Sequence, residues 1–358
     1  MPFNAGEYVH SRSQGWYGQV VRQVESGMYR VRIGGTDSTR DLPEADLELQ
    51  MGRSIAPRVF PPVRTLSTSI TAPAFAYPFS NEKGFERGAP LWQSLGVVEP
   101  GAVVGVSGSI LDLAAAAGDN CRQVVSTDIN SCTTQYVDQL RRILVLLGEV
   151  GQIIKIKRNW RTGLETSRQV ISLVDFFKNV IEYIRNYNLK VQEFVNSCDF
   201  QNQGPAQSLK AELAGLETSM KQTVTQYFSN WFDVEANFWR LAELVKQGNF
   251  FLLCGDLSRV ETLAALRDAL GYPITIFNIS NALDYIPAEQ IDPLIDMFVR
   301  FPHTGGAKVV SSSQSLVSRC TDLLGTFAVP KVHTWAEFIE VLRELKASAL
   351  CGGLSSVK

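Results

Sequence analysis

Three histidines, His10, His303 and His333, are all the imidazole that this chain of 358 residues carries. Its six cysteines, Cys121, Cys132, Cys198, Cys254, Cys320 and Cys351, are scattered, and no two stand at CxxC spacing. A structural zinc site and a disulfide framework are therefore not expected, whereas reduced thiols in a cytoplasmic protein are. No carboxylate pair stands at ligand spacing, so no metal is expected. An excess of one charge is missing too: 34 Lys and Arg face 36 Asp and Glu, for a net charge of −2. That balance excludes a protein that holds nucleic acid by bulk charge. No uninterrupted apolar run of about 18 residues occurs, so no membrane span is expected. The opening residues, with Pro2, Asn4, Gly6 and Glu7, lack a basic-then-apolar leader, and secretion is not expected either. What remains is an ordinary globular composition, 45% hydrophobic and 20% charged. The length fits two domains, or one large domain with an appendage.

Residues 1–50 read as a small all-β unit. Glu7–Ser11, Gly18–Val24, Met28–Ile33 and Thr39–Leu42 are short and β-branched, with Gly15, Ser26-Gly27 and Gly34-Gly35 between them. Gly6-Glu7-Tyr8-Val9, Gly15-Trp16-Tyr17-Gly18 and Tyr29-Arg30-Val31 resemble Tudor-like or SH3-like barrels. In such barrels an aromatic cage can hold a methylated cation. The rings in question here are Tyr8, Trp16, Tyr17 and Tyr29, and filling the barrel's own small core is the competing use for them. Arg22, Arg30, Arg32 and Arg40 form either a local basic patch or a solvated face. Residues 51–82 carry Pro57, Pro61, Pro62, Pro73 and Pro78 without periodicity and read as a linker or ordered arm.

Residues 83–358 alternate between strand and helix. Strands are expected at Ala102–Val106, Gln123–Ser126, Gln152–Lys157, Phe250–Cys254, Ile274–Asn278 and Lys308–Ser311. Helices are expected at Ile110–Ala117, Cys132–Leu147, Ser258–Leu270, Ala288–Arg300 and Trp335–Ala349. Ser258 and Glu261 suggest a capping box. This rhythm argues for a doubly wound parallel sheet. Residues 167–247 interrupt it with three helical stretches, Arg168–Asn196, Ala206–Phe228 and Glu235–Lys246, with Gly204-Pro205 as the break between the first and second. Such an insertion either covers a ligand crevice or serves as a homo-oligomer contact.

Four polar points fall at the carboxyl ends of successive predicted strands. They are Gly105-Val106-Ser107-Gly108-Ser109, then Asp128, then Gly255-Asp256, then Asn278 through Tyr285. Small residues before a helix let a ligand approach the backbone, and an acid about 20 residues on suits ribose hydroxyls. The ordered set resembles the class I S-adenosyl-L-methionine-dependent methyltransferase superfamily over roughly residues 95–330. The fold so implied is a doubly wound, Rossmann-like methyltransferase domain with a helical insertion, preceded by a small SH3/Tudor-like β-barrel. The resemblance implies S-adenosyl-L-methionine as cofactor, bound by Gly105, Ser107, Gly108, Asp128, Asp256 and Asn278. It places Ser280 and Asn281 at the substrate, with Asp284 and Tyr285 as candidate catalytic bases. The first motif departs from the family, which has an acid there and glycine where Ser107 and Ser109 stand.

Asn237-Phe238-Trp239, Gly255-Asp256-Leu257 and Ile279-Ser280-Asn281-Ala282-Leu283-Asp284-Tyr285 are similar to two narrower branches. One is a methyltransferase-like family of unknown function. The other comprises 3-amino-3-carboxypropyl transferases of betaine-lipid type, which move a different carbon chain of the same cofactor. The acceptor is left open between a small molecule and a peptide. Two other classes compete. Gly105-Val106-Ser107-Gly108-Ser109 nearly matches the G-x-S-x-G nucleophile elbow, which would make Ser107, Asp284 and His333 a hydrolase triad. A non-catalytic protein could instead dock a partner through its barrel and carry a degenerate methyltransferase-like domain.

Overall fold

Strands that are apolar on both faces belong inside a parallel sheet covered by helices, and three segments of this chain have that character. Gly101–Val106, Cys121–Asp128 and Ile274–Ser280 are buried along nearly their whole length. In the computed structural model they form the centre of a seven-stranded sheet. The structure describes residues 8–11, 17–33, 39–51, 62–66, 95–96, 98–159, 161–185, 191–220, 234–286, 288–312, 319–322, 325–328 and 330–350.

The elements, in chain order, begin with strands β1 (Tyr8–Ser11), β2 (Tyr17–Glu25), β3 (Met28–Ile33), β4 (Thr39–Pro43), β5 (Leu47–Met51), β6 (Arg64–Thr65) and β7 (Gly101–Val106). Helix α1 (Ile110–Ala117), β8 (Cys121–Asp128), α2 (Ser131–Glu149), β9 (Ile153–Arg158) and β10 (Glu165–Ile171) follow. Then come α3 (Leu173–Arg185), α4 (Val191–Asn196), β11 (Cys198–Phe200), α5 (Gln203–Met220) and α6 (Glu235–Lys246). The chain continues with β12 (Phe250–Cys254), α7 (Val260–Ala269), β13 (Ile274–Ser280), α8 (Ile291–Arg300), β14 (His303–Ser311), β15 (Arg319–Asp322), β16 (Gly325–Ala328), β17 (Lys331–Thr334) and α9 (Trp335–Leu350). Among the described residues no helix is long and apolar enough to cross a membrane.

Two compact units result. One combines Met1–Val59, Gln139–Lys221 and Trp231–Lys246; the other combines Phe60–Asp138, Gln222–Asn230 and Gln247–Lys358. The second holds the seven-stranded sheet, ordered β17-β14-β13-β7-β8-β12-β6. Every neighbouring pair in it is parallel except β14 with β17, which runs antiparallel at the edge. From β7 the chain builds outward through β8 to β12, then returns to the other side of β7 for β13 and β14. This is a doubly wound sheet with its reversal between β7 and β13. One face is filled by aromatic rings. Phe298 of α8 lies 5.2 Å from Phe277 of β13, 5.6 Å from Trp335 and 5.1 Å from Phe338, the last two on α9. Trp335 Nε1 donates to the Phe298 carbonyl at 3.1 Å, so its one polar atom is satisfied inside that core.

The first unit opens with a five-stranded antiparallel sheet of order β4-β3-β2-β1-β5. Its core is Val9, Val20, Tyr29, Val31, Leu42 and Leu47. Tyr29 is fully buried there, so it serves as core and cannot line a cage for a cation. Trp16 and the side chains of Tyr8 and Tyr17 lie outside the described residues. Arg30 is paired through both Nε and Nη2 with Asp41 at 2.7 Å, which balances one charge of the arginine group and favours the solvated-face reading for it.

The interrupting segment differs from the expected run of helices. Residues 165–171 form strand β10 rather than the start of a helix, and α3 begins only at Leu173. Val170 and Ile171 are β-branched and pair with Ile154 and Ile153 of β9, and Thr166 stands at a register shift between Glu165 and Ser167. Strand β9, expected within the main sheet, therefore belongs to a separate three-stranded sheet, β10-β9-β11. Gly204-Pro205 is not a break between helices but sits in the first turn of α5, where proline's missing N–H has no partner to lose. The capping box at Ser258 and Glu261 does not form. Helix α7 starts at Val260, and the Ser258 N–H and hydroxyl both donate to Asp256 Oδ1, at 2.9 and 2.7 Å.

Candidate functional site

In a doubly wound sheet the crevice for a ligand opens at the carboxyl ends of the strands, beside the reversal point. Here that point is marked by an unusually close approach of two strands. Gly105, near the end of β7, has φ +154°, and a Cβ built on it would lie 2.6 Å from the Asn278 carbonyl oxygen of β13. Only glycine fits between these backbones.

Around this contact the strand ends carry small polar side chains. The Ser107 hydroxyl is 2.7 Å from that of Ser126 on β8, and the Ser107 N–H donates to the Thr127 carbonyl at 3.0 Å. Asn278 is fully buried and uses both ends of its amide. Its Nδ2 donates to Ser109 Oγ at 2.6 Å, and its Oδ1 accepts the Ser280 N–H at 2.8 Å. Ser280 has φ +52°, alone among the described non-glycine residues in having a positive φ. It is held there from the other side as well. Its carbonyl accepts the Ser312 N–H at 2.9 Å and the Ser311 hydroxyl at 3.3 Å, and its own hydroxyl is 3.2 Å from that of Ser312. Strain of this kind persists only where neighbours over-determine the backbone.

Two carboxylates stand at the ends of the next strands outward. Asp128 ends β8, and its register partner on β12 is Cys254, two residues before Asp256. Asp128 is half-buried; burial pushes its pKa up to about 6, against the pull of the Asn130 and Ser107 N–H groups. The Asn130 N–H donates to Asp128 Oδ1 at 2.9 Å, while Asn130 Oδ1 caps α2 by accepting the Cys132 N–H at 2.9 Å. Asp256 is buried. Its Oδ1 is engaged by Ser258, and its Oδ2 has no hydrogen-bond partner among the described residues, with Arg259 Nε 3.7 Å away. Burial also raises the pKa of the Cys254 thiol beside Asp128, so that thiol is held protonated.

Gly105, Ser107, Asp128, Asp256, Asn278 and Ser280 thus all sit at one edge of one sheet, and Gly108 lies in the turn between β7 and α1. The turn after β13 is less enclosed. Asn281 and Asp284 are exposed, Asp284 within a 3₁₀ turn from Ala282 to Tyr285, and the Tyr285 side chain lies outside the described residues. The sequence reading missed Ser126, Asn130, Ser311 and Ser312. Asn130 had a local signal, a helix-capping residue just ahead of an apolar periodic run; the three serines had none.

The hydrolase triad is not assembled. His333 on β17 faces Val309 on β14, Val309 faces Phe277 on β13, and Phe277 faces Val104 on β7. Three strand spacings separate His333 from the strand that carries Ser107, about 14 Å. The Ser107 hydroxyl is engaged with Ser126 instead.

No family model and no curated protein matches this sequence. Among solved structures, the chain is similar to two of the rRNA methyltransferase aviRa from Streptomyces viridochromogenes. Both are 10% identical; one covers 71% of this chain and 85% of its own, with a TM-score of 0.32, and the other 70% and 84%, with 0.31. The fold assignment therefore rests on the strand order above.

Proposed function

We propose that this protein is an S-adenosylmethionine-dependent transferase, with the cofactor lying across the ends of β7, β8 and β12 and the acceptor beside the turn after β13. The observation that carries this reading is the pair of enclosed carboxylates at adjacent strand ends, next to the glycine contact at the reversal point. Asp128 is held by backbone N–H groups alone among the contacts described, Asn130 at 2.9 Å and Ser107, and Asp256 Oδ2, with Arg259 Nε 3.7 Å away, is buried without a hydrogen-bond donor among the described residues. A buried carboxylate oxygen in that state costs free energy until a donor reaches it. The ribose hydroxyls and the adenine amino group of the cofactor are donors of the right number and kind. Gly105, Ser107 and Gly108 would flank its methionine moiety, and Asn278 would hold the shape of the turn between cofactor and acceptor.

The bound cofactor supplies a sulfonium with an electrophilic carbon. The protein's role is to align the acceptor nucleophile with that carbon and exclude water. Asp284, with Tyr285 next to it in sequence, is the candidate to take a proton from a hydroxyl or amine acceptor. Whether methyl or 3-amino-3-carboxypropyl moves depends on which carbon faces the acceptor, and the product separates them. Methyl transfer releases S-adenosylhomocysteine; aminocarboxypropyl transfer releases methylthioadenosine. The N-terminal antiparallel sheet, in this reading, is an SH3/Tudor-like module that docks a partner.

Calorimetric titration of S-adenosylmethionine and S-adenosylhomocysteine into wild type and Asp128→Ala is the direct test. Micromolar binding by wild type, weakened at least tenfold by the substitution, is the expected outcome. Absence of binding to folded wild type would remove the transferase reading and leave partner binding as the function.

A further inference from the structure

Strand β12, which leads into Asp256, would end the parallel sheet on its side but for two residues from far earlier in the chain. Arg64 and Thr65 form β6 and pair in parallel with Leu253 and Cys254, the last two residues of β12. The tie continues one residue on, where the Leu66 N–H donates to the Cys254 carbonyl at 2.9 Å. From the inner side the same strand end is tied to β8, because the Gly255 N–H donates to the Asp128 carbonyl at 2.8 Å. Arg64 and Thr65 are exposed and Leu66 is half-buried, so this short pairing buries little apolar surface. What it does is fix a strand end that would otherwise be a free edge, and free edges open most readily.

Leu66 is seated where a side chain is missing. Gly255 does not have a positive φ, so its glycine answers to space rather than to backbone angle. A Cβ built there would lie 3.1 Å from Leu66 Cδ1 and 2.9 Å from Thr262 Oγ1, in the first turn of α7. Leu66 and Thr262 thus close on the bare backbone of Gly255. The next residue is Asp256. Both of its hydrogen bonds come from Ser258, two residues on, at 2.9 and 2.7 Å to Oδ1. The carboxylate therefore goes where the segment Cys254–Ser258 goes, and Leu66 holds the start of that segment from outside. Hydrogen bonds weaken steeply with misalignment, so a small shift of this segment matters for any donor that Oδ2 is to receive.

We propose that Leu66 is a positioning residue for Asp256. By filling the notch at Gly255 and holding the Cys254 carbonyl, it aims Asp256 Oδ2 at the 6-amino group of the adenine ring, and so sets the preference of the site for adenine over a purine without that donor. The inference rests on the transferase reading above. A well-placed hydrogen bond to a charged acceptor is expected to give a preference of about tenfold or more.

Calorimetric titration of the full chain with two ligands tests it: S-adenosylhomocysteine, and its analogue with an unsubstituted purine, which lacks the 6-amino group. Wild type should prefer the adenine ligand by about tenfold or more. Leu66→Ala should cut that preference to about threefold or less, through the adenine ligand alone, and leave the affinity of the analogue within about twofold. Leu66→Met conserves volume and should keep the wild-type preference. Gly255→Ala fills the notch from the other side and should reduce the preference as Leu66→Ala does. Circular dichroism establishes that each variant is folded, and Leu66→Val, a milder truncation, takes the place of Leu66→Ala if the latter is not. A loosened fold would weaken both ligands in parallel, and that result overturns the inference. So does a truncated variant that keeps the full preference, or a wild type that binds both ligands equally. Wild type that binds neither ligand removes the transferase reading and this inference with it, whereas a wild-type preference that survives truncation of Leu66 removes this inference alone.

Discussion

In the proposed site, Asp128 would trade stability for binding. Its pKa, about 6 in the folded protein, lies above the ordinary carboxylate value, so the folded state holds this proton more tightly than the unfolded chain does. The stabilising protonation is complete below about pH 4 and is lost as pH rises from about 4 to about 6, at about 1.4 kcal/mol per pH unit. Asp128→Asn keeps an acceptor for the Asn130 N–H and removes the buried charge. Denaturant unfolding of the apoprotein should therefore show the variant more stable than wild type at pH 7 by up to about 3 kcal/mol, with roughly half that gain at pH 5. The same variant should lose cofactor affinity, the pairing of effects expected of a residue kept for function. A variant that is less stable than wild type at pH 7 would show that the carboxylate is a structural anchor. Gly105 gives a second test at this scale. Gly105→Ala should cost about 3 kcal/mol, from backbone strain and from the close contact with the Asn278 carbonyl. Gly118→Ala shares a positive φ, +54°, but its Cβ would meet nothing within 4 Å, so backbone strain alone, about 1–3 kcal/mol, and a smaller loss than at Gly105 are expected there. Equal losses at the two glycines would mean that the β7–β13 approach imposes no requirement of its own.

At the scale of elements, helices α8 and α9 brace the end of the sheet that carries Asn278. Phe298 is the centre of that brace, in contact with Phe277, Phe301, Trp335 and Phe338. Phe298→Ala should cost about 3–5 kcal/mol in equilibrium unfolding, and Phe298→Leu well under half of that. The alternating pattern from Phe250 onward was legible because both faces of its strands are apolar and turn residues bound each run. The β9–β10 hairpin was not, since Glu165–Ile171 is short, largely polar and exposed, and only its pairing with β9 makes it a strand. Ser258 and Glu261 have the spacing of a capping box. The sequence also holds the competitor, Asp256, two residues before Ser258, and its carboxylate captures the serine hydroxyl. The arrangement of the candidate site was legible to a similar degree. Asp128 stands out by its place and spacing, whereas Ser126, Ser311 and Ser312 become neighbours of site residues only once β8 and β14 take their places beside β7 and β13.

For the whole molecule, the grouping of Gln139–Lys221 with Met1–Val59 has no local mark in the sequence, because it arises from contacts between segments far from each other along the chain. The proposed cofactor site lies wholly in the other unit, which makes a spatial prediction. A ligand that binds only the folded state stabilises it by about 2.7 kcal/mol at a concentration 100 times its Kd, and slows global opening to a matching degree. Hydrogen exchange with saturating S-adenosylhomocysteine should therefore protect residues 101–130, 250–258 and 274–284, with slow core amides of β7, β8 and β13 retarded by up to about 100-fold. The antiparallel sheet from Tyr17 to Met51 should change little, since its core of Val9, Val20, Tyr29, Val31, Leu42 and Leu47 is its own. Protection that appears equally in Tyr17–Met51 would mean that the two units open as one cooperative body. Protection confined to residues outside the strand ends of β7, β8, β12 and β13 would move the ligand away from Asp128 and Asp256 and remove the basis of the proposed site.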